Sequence, residues 1–80
     1  MGVQHHVFDS SAVERARYDP DAGTLELWYV GGDSYTYFEV PPQVYEALVA
    51  APSAGTFVND LIKPNFRFEI EKRRRKFRPS

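Results

Sequence analysis

The sequence predicts a small α+β fold: an antiparallel β-meander of three to four strands with two short helices packed on one face. Three observations carry that prediction. Residues 25–40 hold two runs rich in aromatic and β-branched side chains, alternating in polarity and separated by Gly31-Gly32, which is the pattern of a β-hairpin. After Val40 the apolar spacing changes from two to nearly four, as it does where strand gives way to helix. Phe66, Phe68 and Ile70 then restore the alternation, so an extended segment closes the folded part.

Residues 1–9 show only a weak alternation of Val3, His5 and Val7, read as a loose or edge segment. Residues 12–18 read as the first full strand, closed by the turn residues Asp19-Pro20-Asp21-Ala22-Gly23. Val13 is out of phase with Ala16 and Tyr18, and a β-bulge between them would reconcile the three. The second strand starts at Thr24, and its hairpin partner admits two registers. A two-residue loop puts Tyr35 and Tyr37 on the face of Trp28, whereas a three-residue loop sets Tyr29 opposite Tyr35 and Leu27 opposite Tyr37. The three-residue loop is preferred. It gathers Leu25, Leu27, Tyr29, Tyr35 and Tyr37 on one apolar face and leaves Thr24, Glu26, Trp28, Ser34, Thr36 and Phe38 on the other.

Pro41-Pro42 suits a helix start, where the missing amide proton is no loss. Val44, Leu48 and Ala51 recur on one side, widened by Tyr45 and Val49, until Pro52. Ser53 is placed to cap a shorter helix whose buried edge is expected to be Phe57, Leu61 and Ile62, with Pro64 ending it.

The charge is divided along the chain. Residues 1–62 carry two basic and nine acidic groups, while residues 63–80 carry eight basic and two acidic ones. An acidic folded part spanning residues 8–71 is thus followed by the tail Lys72-Arg73-Arg74-Arg75-Lys76-Phe77-Arg78-Pro79-Ser80, which self-repulsion is expected to keep disordered when free. With no cysteine there is neither a disulfide framework nor a cysteine zinc site, in keeping with a reducing cytoplasm. No apolar run has the length of a membrane span and no signal-peptide pattern opens the chain, so no membrane partner is expected. His5 and His6, adjacent on an extended segment, point to opposite faces and make a poor chelate. Asp9, Ser10 and Ser11 beside those histidines lack an oxyanion device. Asp19 and Asp21 read as turn residues, and Asn59-Asp60 has no base or metal ligand beside it. No enzyme activity and no cofactor is expected.

Taken together, Ser10-Ser11, Tyr18-Asp19, Gly23-Thr24-Leu25, Tyr35-Thr36-Tyr37, Val40-Pro41, Val44-Tyr45 and Ser53-Ala54-Gly55 with Phe57, Asn59 and Ile62 resemble the KTSC domain over about residues 10–66. That family is named after the C-terminal region of some lysyl-tRNA synthetases and also occurs as small stand-alone bacterial proteins, with the Tyr35-Thr36-Tyr37 pattern as its central motif. The resemblance implies a suspected link to RNA and no established activity.

Two binding functions follow. In the first, a non-catalytic module engages structured, tRNA-like RNA: Lys72, Arg73, Arg74, Arg75, Lys76 and Arg78 contact phosphates, and the exposed aromatics Trp28 and Phe38 stack on bases. Tyr35 and Tyr37 are assigned to packing ahead of stacking. The alternative is a protein-interaction module without nucleic-acid binding, anchored by Trp28 and Phe38 or by an exposed strand edge.

Overall fold

The computed structural model describes residues 2–71; the basic tail at residues 72–80 lies outside the described residues. Five strands form one antiparallel sheet in chain order: β1 (Gln4–Val7), β2 (Val13–Asp19), β3 (Thr24–Tyr29), β4 (Ser34–Tyr37) and β5 (Phe68–Glu71). Helices α1 (Pro42–Ala50) and α2 (Ala54–Phe57), the latter running into a π-helical turn at Val58–Ile62, occupy the long connection from β4 to β5. The α+β class stands, but the strand count of three to four is corrected to five. The added strand is β1, an edge strand whose residues are nearly all exposed; without a buried face it leaves no strong alternation in the sequence.

Turn chemistry sets the strand order. Asp19 Oδ1 accepts the amide protons of Asp21 and Ala22 at 3.0 and 3.3 Å, and Gly23 turns the chain at φ 71°. Glu14 is the bulged residue of β2, since Val13 faces Tyr29 while Arg15 faces Trp28. Val13, Ala16 and Tyr18 therefore all reach the core, as the phase of the sequence requires.

The β3–β4 hairpin has a different register from the preferred one. Leu27 faces Tyr35 and Leu25 faces Tyr37, with Trp28 opposite Ser34 closing the ladder. Only Gly31 takes a positive φ, at 67°. The Gly32 amide donates to the Tyr29 carbonyl at 3.1 Å, which puts Gly31 at the third position of a β-turn, where type II geometry needs that φ. The slip is two residues, so the division of side chains between faces is unchanged.

One face of the sheet is covered. Ala16, Tyr18, Leu25, Leu27 and Tyr37 pack with Tyr45 and Leu48 of α1, Ala54 of α2, and Val58 and Ile62 of the π-helical turn. Tyr18 stacks on Tyr45 at 5.0 Å and donates its hydroxyl proton to the Val40 carbonyl at 2.5 Å. Ser53 caps α2 as expected, accepting from the Thr56 amide. Leu61 corrects the expected buried edge: it is exposed, and Val58 is buried with Ile62 instead. The wider turn, closed by the Lys63 amide on the Val58 carbonyl at 2.8 Å, rotates the sequence past the 3.6-residue period.

Candidate nucleic-acid interface

Among the described residues no helix covers the other face of the sheet, and strand alternation decides what it presents. β2 contributes Arg15 and Arg17, β3 contributes Glu26 and Trp28, β4 contributes Thr36, and β5 contributes Glu69 and Glu71. Phe38 and Arg67 continue the β4–β5 pairing, because the Phe38 amide donates to the Arg67 carbonyl at 2.9 Å. Trp28 and Phe38, singled out as stacking residues, thus share the open face and are half-buried. Each lies under an arginine: the Arg15 guanidinium carbon is 4.2 Å from the Trp28 ring centroid and that of Arg67 is 4.8 Å from Phe38. Arg17 meets Glu26 at 3.9 Å, an exposed pair that adds little stability and leaves the guanidinium accessible.

The arginines are the part that sequence reasoning missed. All three arginines among the described residues stand on this face. Counted along the chain they belong to an acidic body; only strand phase gathers them. For Arg15 and Arg17 that phase was available in the sequence, since they alternate with the apolar Ala16 and Tyr18. Arg67 is brought in by the long return from β4 to β5, which local pattern does not predict.

Tyr35 and Tyr37 lie on the covered side. Tyr37 is fully buried and its hydroxyl pairs with that of Tyr29 at 3.1 Å. Tyr35 is half-buried, edge-on to Tyr29 at 4.9 Å and stacked on Phe68 at 5.4 Å, and the Lys63 amine lies 5.8 Å from its ring centroid. Burial pushes both Tyr29 and Tyr37 above the ordinary phenol range; their shared hydrogen bond raises Tyr29 further and opposes the rise at Tyr37.

His6, Asp9, Ser10 and Ser11 come together with Ser53 around an open cleft of about 410 Å³ between the β1–β2 connection and the helices. Two of its three serines, Ser10 and Ser53, are engaged in local turn and cap bonds. Ser10 Oγ accepts from the amides of Ala12 and Val13, and Ser53 Oγ accepts from the Thr56 amide while donating to Thr56 Oγ1. His5 faces Arg17 on the open side, whereas His6 lies on the helix side against Phe8. Among the described residues no group of three or more His, Cys, Asp or Glu side chains is placed to hold a metal ion, and no helix is long and apolar enough to cross a membrane.

Comparison with known proteins agrees with this architecture. The sequence model of the KTSC domain matches residues 9–66. A protein of Tsukamurella paurometabola is 52% identical over 59 residues, covering 74% of this chain and 88% of the relative. A lysine–tRNA ligase of Nostoc punctiforme is 39% identical over 61 residues, covering 76% of this chain and 11% of the ligase. The crystal structure of a KTSC domain protein from Yersinia pestis superposes with a TM-score of 0.81 at 28% identity, covering 88% of this chain and 99% of that one.

Proposed function

This chain belongs to the KTSC domain family, and from that premise we propose that it is a non-catalytic, cytoplasmic module that binds structured, tRNA-like RNA. The observation that carries the reading is the uncovered sheet face on which Arg15 stacks on Trp28 and Arg67 on Phe38. Such a pair offers a base both a ring to stack on and a guanidinium for the adjoining phosphate. The presence of a similar region in lysine–tRNA ligases lends support, although it makes up only 11% of the ligase. In this reading Lys72, Arg73, Arg74, Arg75, Lys76 and Arg78 add sequence-independent phosphate contacts to those of the face. The alternative, a protein-interaction module, draws on Glu26, Glu69 and Glu71, which share the face with the arginines and would repel phosphate.

Fluorescence anisotropy of mixed bacterial tRNA distinguishes the two, using the full chain, the chain ending at Glu71, and the full-length Trp28→Ala and Phe38→Ala variants at low and physiological salt. The full chain is expected to bind with a steep salt dependence. Each alanine variant is expected to weaken binding about 5- to 150-fold, the equivalent of about 1–3 kcal/mol per stacked base. Absence of binding by the full chain at low salt would overturn the RNA reading in favour of the protein-interaction one. Binding that disappears with the tail and ignores both aromatic substitutions would remove the sheet face from the site.

A further inference from the structure

The β1 edge of the sheet is independent of that reading and carries its own inference. Residues 2–7 read Gly-Val-Gln-His-His-Val, with no proline, acidic residue, lysine or arginine. Among the described residues β1 pairs with β2 alone and no strand lies along its far side. The Phe8 amide donates to the Glu14 carbonyl at 3.0 Å. Antiparallel alternation from that bond turns the main-chain groups of Gln4, His6 and Phe8 toward β2 and those of Val3, His5 and Val7 outward. Open edges are ordinarily blunted by charge, proline or a bulge. The opposite edge, β5, carries Glu69 and Glu71, whereas β1 exposes Val3 at 38% and Val7 at 74%.

We propose that β1 pairs antiparallel with β1 of a second copy about a twofold axis at His5, joining two five-stranded sheets into one. The outward-facing set is self-complementary. With His5 opposite His5 of the second copy, Val3 of each copy meets Val7 of the other on the open face, and each facing pair exchanges both main-chain bonds. Two apolar contacts then cover side chains that the single copy leaves in water. Pairing of β1 with β5 of another copy does not do this: it sets the valines against Glu69 and Glu71, and its head-to-tail geometry grows into an open fibre instead of closing. A twofold β1 contact uses up both free β1 edges and leaves only the acidic β5 edges at the ends. The two open faces become continuous, and the Trp28 rings, five strand spacings apart across the sheet and offset by four residues along it, lie about 28 Å from each other.

The chain has no cysteine, so a single introduced thiol reports the register. Facing residues in such a pair have Cα atoms about 5.5 Å apart, inside the disulfide range of about 4.4–6.8 Å. His5→Cys in the full chain is therefore expected to give a disulfide-linked dimer on mild oxidation. Gln4→Cys and His6→Cys face each other's positions, not their own, and diagonal neighbours at about 7–8 Å exceed that range. They are expected to cross-link at least about tenfold more slowly, lacking the effective concentration that pairing provides. In sedimentation equilibrium the unmodified chain is expected at twice its 9.2 kDa monomer mass, and Val7→Lys at the monomer mass with an unchanged far-UV spectrum. A monomer at every concentration, a dimer indifferent to Val7→Lys, or equal cross-linking at positions 4, 5 and 6 would each overturn the proposal.

Discussion

At the scale of single residues, the fold depends on a few contacts that admit no substitute. Tyr18 is buried, and its hydroxyl is the donor to the buried Val40 carbonyl at 2.5 Å, tying β2 to the segment that enters α1. Removing the hydroxyl leaves that acceptor without its partner while the ring still packs on Tyr45. Tyr18→Phe is accordingly expected to cost about 1–3 kcal/mol, the penalty of an orphaned buried polar group, measured by urea unfolding at neutral pH. Gly55 is fixed by space, not by backbone conformation. A β-carbon there would come within 2.9 Å of the Ala12 β-carbon, and Ala12 cannot retreat: its amide donates to Ser10 Oγ and its carbonyl accepts from the Val30 amide at 3.0 Å. Alanine elsewhere in a helix gains up to about 1 kcal/mol over glycine, but here the overlap outweighs it. Gly55→Ala is expected to lower the unfolding midpoint, and adding Ala12→Gly to restore most of the loss. A midpoint unchanged by Gly55→Ala would mean that the Ser10–Ala12 turn yields easily.

At the scale of elements, the β-bulge is where sequence and packing meet. Glu14 is exposed and its side chain does nothing in the core, but the residue itself is what lets Val13 and Ala16 face the same way. Glu14→Ala is expected to be nearly neutral, whereas deletion of Glu14 removes the bulge, leaves Val13 on the covered face in plain alternation with Arg15 and Ala16, and shortens the β1–β2 connection by one residue. The deletion takes away the carbonyl that accepts the Phe8 amide at the start of the β1–β2 ladder, at an expected cost of about 0.5–1.5 kcal/mol. Thermal unfolding of the two variants checks this, and a deletion as stable as the alanine variant would contradict it. This bulge was legible in the sequence, because Val13 broke an otherwise regular phase. The hairpin register was not. Registers two residues apart put the same side chains on the same faces, and either glycine of Gly31-Gly32 was able to supply the positive φ that only Gly31 adopts. Nor was the exposure of Leu61 legible, since a 3.6-residue period cannot foresee a π-helical turn. The aromatic rings of Trp28 and Phe38 were assigned to the correct face, but the arginines over them were hidden in a charge count made along the chain. Strand phase, not composition, gathers them there.

At the scale of the whole molecule, a single layer of helix on a single sheet leaves a small core, and tyrosine fills an unusual share of it. Of the five tyrosines, Tyr18, Tyr37 and Tyr45 belong to the buried cluster and Tyr29 packs against it. Burial pushes all four phenols above their ordinary value of 10.0, with the Asp19 carboxylate adding to the rise at Tyr18 and the Tyr37 hydroxyl to that at Tyr29. The sign of the linkage follows. Below pH 10 these phenols are protonated in both the folded and unfolded chain, so they do not change stability with pH. Above it the unfolded chain loses protons that the folded one keeps, and stability falls as pH rises. Each such phenol contributes a slope of up to about 1.4 kcal/mol per pH unit between its unfolded and folded titrations, so the decline steepens above pH 10. Circular dichroism across an alkaline titration is expected to stay flat to about pH 10 and then show cooperative unfolding, with phenolate absorbance rising in the same step. Tyr45→Phe, which removes one titrating group and, among the described residues, no hydrogen bond, is expected to make the decline shallower. Phenolate absorbance that rises fully before the circular dichroism changes would show that these tyrosines ionise in the folded protein, and would place them outside a dry core.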